Sequence, residues 1–328
     1  MKISMAHGSG GRATSELIQK CFAAYFHNPV LDRMEDSAVV EGSGRLAMTT
    51  DSFVVTPLFF PGGDIGRLSI CGTVNDLLMS GAVPKYLTCG FILEDGADGD
   101  QLENIVKSMA ATAREAGVMI VAGDTKVIEG SGGIYINTAG VGFVPDGTDI
   151  SASNCRVGDA VIVSGNLGDH HAAVLSTRME IENDIRSDNA PLREMVDKLK
   201  AAGIEIHAMR DVTRGGLATV LHEFAESSDV CMEVEESSLP VSPAVQVFCS
   251  LLGLEPMYMG NEGKMIAVVP QEYAQKALGC IRSSRYGENA AIIGRVTDTQ
   301  KKTVLMHTPV GGIRVMTELI GEGLPRIC

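Results

Sequence analysis

The sequence predicts an α+β protein of two domains, each a mixed or antiparallel sheet with helices on one face, followed by a mobile C-terminal tail. Three observations carry this. Strand-like runs come in clusters between helices instead of in strict alternation, which disfavours a doubly wound parallel sheet. The strand and helix pattern starts again near residue 150. The chain has 328 residues, 45% of them hydrophobic, enough to bury a core in each half. The expected parts are an arm and helix over 1–35, a first domain over 36–150, a second over 151–308 and a tail over 309–328.

The elements follow in order. His7-Gly8-Ser9-Gly10-Gly11 is a glycine-rich arm leading into a helical pattern over 13–26. Strand-like runs stand at 38–40 and 45–51. Helical spacing covers 66–80 and 100–116, with Asp98 placed to cap the second. The apolar run 118–122 reads as a buried strand ending at Gly123-Asp124, and 133–144 as a strand paired with it. In the second half, 159–164 is a strand, and 169–178 and 191–202 are helices. Asp211-Val212-Thr213-Arg214-Gly215-Gly216 opens a helix that runs through Glu226. A strand at 230–235 and a helix at 243–252 come next. The series closes with a strand at 264–269, a helix at 271–281, and strands at 290–296 and 303–307.

Bulk chemistry excludes several classes. The net charge is −14 with no basic cluster, so phosphate neutralisation on a nucleic acid is not available. ATP remains compatible, because a bound cation and backbone N–H groups offset local acidity. Eight cysteines are scattered with no C-x-x-C pair, against a zinc ribbon or thioredoxin site. Their spacing suits a reduced cytoplasmic protein. The N-terminus lacks a signal-peptide layout and no apolar run reaches ~18 residues, so no membrane association is expected.

The chemistry-bearing residues begin with aspartates at the ends of apolar runs: Asp36, Asp51, Asp76 and Asp124. Any one of them alone reads more readily as a plain turn or cap residue. Asp76 and its neighbour Asn75 stand inside an apolar helical pattern, where desolvation is costly without a partner. Several carboxylates converging on Mg²⁺ would offset that cost. Gly215-Gly216 at a helix start would offer N–H groups to an anion, the alternative being a glycine-rich start with no ligand. Gly8-Ser9-Gly10 with Ala13 matches G-x-G-x-x-A only formally, since no strand fits ahead of it. Thr50, Asn75, Thr125 and Asp211, adjacent to these groups, complete the cofactor-binding candidates with His7, Asp36, Gly215 and Gly216. Lys126 and Glu262 are candidates for proton handling, against a solvated lysine and an exposed turn glutamate. His170-His171 at a helix start read as structural. The final residue, Cys328, follows Gly321-Glu322-Gly323-Leu324-Pro325-Arg326-Ile327. It is either a reactive thiol carried into a site or a frayed end.

In order along the chain stand His7-Gly-Ser-Gly-Gly, Asp51-Ser-Phe, Gly72-Thr-Val-Asn-Asp-Leu, Ala122-Gly-Asp-Thr-Lys126, Ser164-Gly-Asn-Leu-Gly-Asp-His170, Arg210-Asp-Val-Thr-Arg-Gly-Gly-Leu217, Gly260-Asn-Glu-Gly263 and Pro325-Arg-Ile-Cys328. This set resembles the HypE family of hydrogenase maturation factors. That family lies within the ATP-binding superfamily of aminoimidazole ribonucleotide synthetase and selenophosphate synthetase. The resemblance implies a homodimer built through the N-terminal sheets, with Mg-ATP held near Asp51, Asp76 and Asp124 and with Asp36 close by. It implies that Cys328 receives a carbamoyl group from the carbamoyltransferase HypF and that the thiocarboxamide is dehydrated to a thiocyanate. The cyano group then passes to iron on a HypC–HypD scaffold, for the nickel–iron hydrogenase centre. A selenophosphate synthetase would carry a reactive Cys in the arm, and His7–Arg12 has none. A non-catalytic thiol carrier is the alternative from another class.

Overall fold

The computed structural model of the chain describes residues 2–4, 7, 16–33, 40–42 and 44–317. Two mixed sheets organise it. The first runs β1 (Arg45–Phe53), β6 (Ile134–Val144), β4 (Val83–Glu94), β5 (Met119–Ile128). Only β4 and β5 are parallel. A two-stranded ribbon, β2 (Phe59–Phe60) and β3 (Gly63–Asp64), leads into the first long helix.

The second sheet has seven strands in the order β13 (Ile313–Met316), β12 (Thr303–His307), β9 (Cys231–Glu235), β11 (Ala291–Thr297), β7 (Ala160–Val163), β10 (Met265–Val269), β8 (Ala208–Asp211). β9 and β12 are its parallel pair. The helices are α1 (Ala24–Phe26, continuing a π-helical turn Ile18–Ala23), α2 (Ile65–Met79), α3 (Gly99–Ala116), α4 (Asp169–Arg178), α5 (Arg193–Ala201), α6 (Gly216–Ser228), α7 (Pro243–Leu252) and α8 (Ala274–Arg282).

The architecture is the expected α+β pair, with helices over one face of the first sheet. In the second domain helices cover both faces. Met265, Ala267 and Val269 join one core with Leu199 and Ile281, while Ile266 and Val268 join another with Leu217 and Phe224 of α6. A strand buried on both sides reads as a continuous apolar run, and β10 does so.

α2 lies between the domains and is buried nearly all round, its apolar residues being spread over every face instead of one stripe. Asp64 caps it by accepting from the N–H groups of Gly66 (2.8 Å) and Arg67 (3.1 Å), a contribution of about 1 kcal/mol. Its packing demands close approach: a Cβ on Gly66 would stand 2.4 Å from the Ile105 carbonyl oxygen on α3. One continuous core then runs from the first domain through Leu192, Val196 and Leu199 of the second.

Several expectations need correction. The strand 133–144 pairs with β1 and β4, not with 118–122, which pairs only with β4. The run 118–122 does not stop at Gly123-Asp124 but continues to Ile128. The long strand β4 carries weak alternation and gave no clear signal. The tail does not begin at 309, since Ile313–Met316 adds an edge strand to the second sheet. Among the described residues no helix is long and apolar enough to cross a membrane.

Candidate active site

The seam between the domains holds a line of carboxylates. Gly72 makes room for the first: a Cβ there would lie 3.3 Å from Asp51 Oδ2 and 2.9 Å from the Phe53 ring. Asp51, on β1, therefore lies against α2. Asp76 stands one helical turn beyond Gly72, its Oδ2 accepting from Thr49 Oγ1 at 2.8 Å. Asp211, at the end of β8, faces both from the second domain. With Arg210, Thr213 and Arg214, Asp76 and Asp211 line a cavity of about 520 Å³.

The electrostatics follow from this crowding. Burial raises the Asp51 carboxyl, and the Asp76 charge adds to it. Burial likewise raises Asp76, with Thr49, Arg210 and Arg214 opposing. Asp211 is pushed up to about 7 by burial and then by Asp76 and Asp51. Glu262 is buried, and its carboxyl is held well above the ordinary range by burial and then by Asp211, Asp188 and Asp51. So many half-buried carboxylates with two arginines are short of positive charge.

Arg214 stands where two left-handed glycines require it. Gly215 (φ +75°) is the N-cap of α6, and Gly216 (φ +63°) follows. A Cβ on Gly216 would meet the carbonyl oxygens of Met257 (2.6 Å) and Met259 (2.8 Å). The glycines do not line the cavity; Thr213, Arg214 and Thr219 around them do.

Two residues missed by sequence reasoning hold these loops. Asn261 is buried, accepts from the Gly168 N–H at 2.8 Å, and donates to the carbonyls of Met259 (3.0 Å) and Val212 (3.2 Å). It ties three loops of the second domain to one point. Lys264 is buried beneath Gly165, where a Cβ would meet its Cε at 2.8 Å, and pairs with Asp188 at 3.4 Å. The recurrence of glycine before buried polar residues was the signal that could have found both.

Other expected residues lie elsewhere. Asn75 is buried, with Oδ1 accepting from the Leu192 N–H (2.9 Å) and Nδ2 donating to the Ala190 carbonyl (3.1 Å). It clasps the domains together. Asp124 and Lys126 pair with each other at 2.8 Å, their side chains 67% and 65% exposed. They sit on β5, at the opposite edge of the sheet from β1, so within one chain neither joins Asp51, Asp76 or Glu262. Lys126 holds the Asp124 carboxyl below its usual range. Thr50 turns to the open face of the sheet beside Asn137 and Ser52. Thr125 lies between Asp124 and Lys126, its N–H donating to Asp124 Oδ1. The His7 ring bonds to Ser4, whose neighbour Ile3 is tied by backbone hydrogen bonds to Gly96 and Ala97 in the turn between β4 and α3. Asp36 and Cys328 lie outside the described residues.

The chain matches known families over most of its length. Residues 34–144 match the AIR synthase related protein, N-terminal domain, and residues 156–307 the AIR synthase related protein, C-terminal domain. It is 49% identical over 331 residues to the carbamoyl dehydratase HypE of Azotobacter vinelandii, covering 99% of this chain and 97% of that one. A crystal structure of the hydrogenase maturation protein HypE in complex with ATP superposes with a TM-score of 0.96 at 46% identity, covering 99% of both chains. A chain of the HypE–HypF complex superposes with a TM-score of 0.81 at 45% identity, covering 94% of this chain and 100% of that one. The chain belongs to the HypE family of carbamoyl dehydratases, built on the two AIR synthase-related domains.

Proposed function

We propose that the chain dehydrates its own S-carbamoylated Cys328 to S-cyanocysteine in an ATP-dependent reaction, supplying cyanide for a nickel–iron hydrogenase centre. The observation that carries this is the interdomain cavity in which Asp76, Asp211, Arg210 and Arg214 converge. A HypE of closely similar fold binds ATP. The residues present fit Mg²⁺ and phosphates. Their carboxylates are raised together for want of positive charge, Arg210 and Arg214 suit phosphate oxygens, and the α6 N-terminus favours an anion. Among the described residues no three His, Cys, Asp or Glu side chains close around a metal ion by themselves. Asp51, Asp76 and Asp211 would hold Mg²⁺, which would supply positive charge for the ATP phosphates there.

ATP supplies a phosphoryl group that turns the amide oxygen into a leaving group. The carbamoyl thioester R–S–C(=O)–NH₂ then loses that oxygen as phosphate and its two N–H protons, leaving R–S–C≡N. Glu262, whose carboxyl is held well above the ordinary range by burial and then by Asp211, Asp188 and Asp51, is the acid–base group of this reading.

Reach supports the tail's role. The described chain ends at Thr317, whose carbonyl accepts from Tyr258 Oη at 3.0 Å, next to a bond between Met316 and His222 of α6. Glu223, the neighbour of His222, lines the cavity. Eleven residues, the number from 318 to 328, span at most roughly 36 Å at ~3.3 Å each, a length that allows Cys328 to enter and leave a nearby site.

Homodimerisation is supported by the open face of the first sheet, where Leu46, Met48, Ile92 and Ile128 are exposed, Met48 at 74%. Asp124 and Lys126 share that face. They reach the chemistry from a second copy, Asp124 towards Mg²⁺ and Lys126 towards the thiocarboxamide. A HypF-type carbamoyltransferase loads Cys328, and a HypC–HypD scaffold receives the cyano group. Chemistry on a free thiol suits the reducing cytoplasm.

The test is the intact mass of the carbamoylated chain before and after Mg-ATP. Loss of one water is expected, with no adduct forming on Cys328→Ala. A carbamoyl adduct that persists with ATP bound overturns the dehydratase reading.

A further inference from the structure

The two arginines of the interdomain cavity are held differently. The Arg214 side chain makes no hydrogen bond or ion pair among the described residues. Arg210 is paired: its Nη2 stands 3.0 Å from Oε2 of Glu223, which lines the same cavity. Glu223 reaches it from α6, where Thr219, Val220 and Glu223 fall on one face at helical spacing and all line the cavity. Glu223 makes no other hydrogen bond or ion pair with its side chain among the described residues, so Arg210 is its whole polar environment there.

The pair is of a weak kind. Glu223 Oε2 has no hydrogen bond, so Nη2 approaches it off the axis that a hydrogen bond needs. The two side chains are 48% and 39% exposed, a setting in which an ion pair adds little. A bidentate carboxylate would orient the guanidinium fork, whereas a single off-axis oxygen only neutralises it. Arg210 therefore keeps its fork for two-point contact with phosphate oxygens, a stronger match than the one it has. Asp76, Asp211 and Glu223 line the cavity with Arg210 and Arg214. Asp76 and Asp211 belong to the group that would hold Mg²⁺. Glu223 stands outside that group, about two turns into α6, with its inward oxygen on Arg210.

We infer that Glu223 is a placeholder for nucleotide phosphate: it neutralises Arg210 in the ligand-free protein and gives it up when the phosphates of ATP arrive. That makes it a positioning residue, one that sets nucleotide affinity by competing for Arg210. The inference rests on the assignment of this cavity to ATP.

Isothermal titration calorimetry of the full chain with Mg²⁺ and a non-hydrolysable ATP analogue tests this. Glu223→Gln keeps the shape of the side chain and removes its charge. It tightens the analogue about fivefold, the upper end for a half-exposed ion pair, and leaves adenosine, which carries no phosphate, unchanged. Glu223→Asp keeps the charge but is one methylene too short to reach Arg210, so it tightens the analogue as well. A residue that only supported the fold would not tighten binding when replaced. No gain with Glu223→Gln overturns the proposal. So does a Glu223→Asp variant that binds like the parent, since general repulsion of the phosphates, not competition for Arg210, would then explain the gain. Arg210→Ala weakens the analogue about tenfold. If it does not, the assignment of the cavity to ATP falls together with the inference, whereas a normal loss with no gain from Glu223→Gln overturns the inference alone. Calorimetry reads binding, so none of these outcomes depends on whether Cys328 is dehydrated.

Discussion

Asn75→Ala separates a structural asparagine from a nucleotide ligand. The side chain makes two buried bonds across the domain seam, to the Leu192 N–H and the Ala190 carbonyl. Both residues are 1% exposed, so water does not readily replace what is lost. Truncation leaves one donor and one acceptor orphaned at about 1–3 kcal/mol each, hence about 2–6 kcal/mol in total. Asn75→Asp does not rescue it. The acceptor for Leu192 returns, but a carboxylate oxygen then faces the Ala190 carbonyl oxygen with no proton between them. Urea denaturation followed by circular dichroism reads the stability, and calorimetry with a non-hydrolysable ATP analogue reads the site under conditions where the variant is folded. A loss below about 1 kcal/mol together with a tenfold drop in nucleotide affinity would refute the reasoning and return Asn75 to the binding site.

Gly216→Ala forces a left-handed residue and drives a Cβ into the carbonyls of Met257 and Met259. It is expected to cost more than about 2 kcal/mol in thermal unfolding, whereas Gly253→Ala, also left-handed but with open space around it, costs about 1 kcal/mol. Asp211→Asn stabilises the ligand-free protein at pH 8 more than at pH 5. The carboxyl is raised from 3.8 to about 7, so the native state holds the proton longer than the unfolded state, and stability falls as pH rises across that window. Equal melting differences at the two pH values would refute this. Asp124→Ala and Lys126→Ala change monomer stability by less than about 1 kcal/mol, because the pair is exposed. Each nonetheless lowers dehydration in the mass assay, and unchanged turnover would remove them from the mechanism.

The site was partly legible in the sequence. An aspartate inside an apolar helical run, Asp76, is costly enough to announce itself, and Gly215-Gly216 announced a helix start with an unusual backbone. Lys264 and Asn261 were overlooked, because a polar residue beside a buried strand and one in a glycine-rich turn resemble ordinary surface unless the glycine ahead of each is weighed. Asn75 was conspicuous in the sequence, but its bonding partners were not. Its burial is real, but the partner that compensates it, Leu192, lies more than a hundred residues away. Asp188 and Asn189 stand just ahead of that partner and carried no pattern at all.

By itself the sequence determined the local elements and the order of the motifs. Those depend on short-range periodicity, capping and backbone conformation, as Thr303–His307 and Pro243–Leu252 show by falling where expected. Tertiary structure decided which strands pair, which carboxylates share a cleft, and which of two exposed-looking acids, Asp124 or Asp211, loses its water. The physical reason is that pairing and desolvation are properties of what is brought opposite a residue. That depends on the crossing of α2 between the domains, which no window of neighbours along the chain contains.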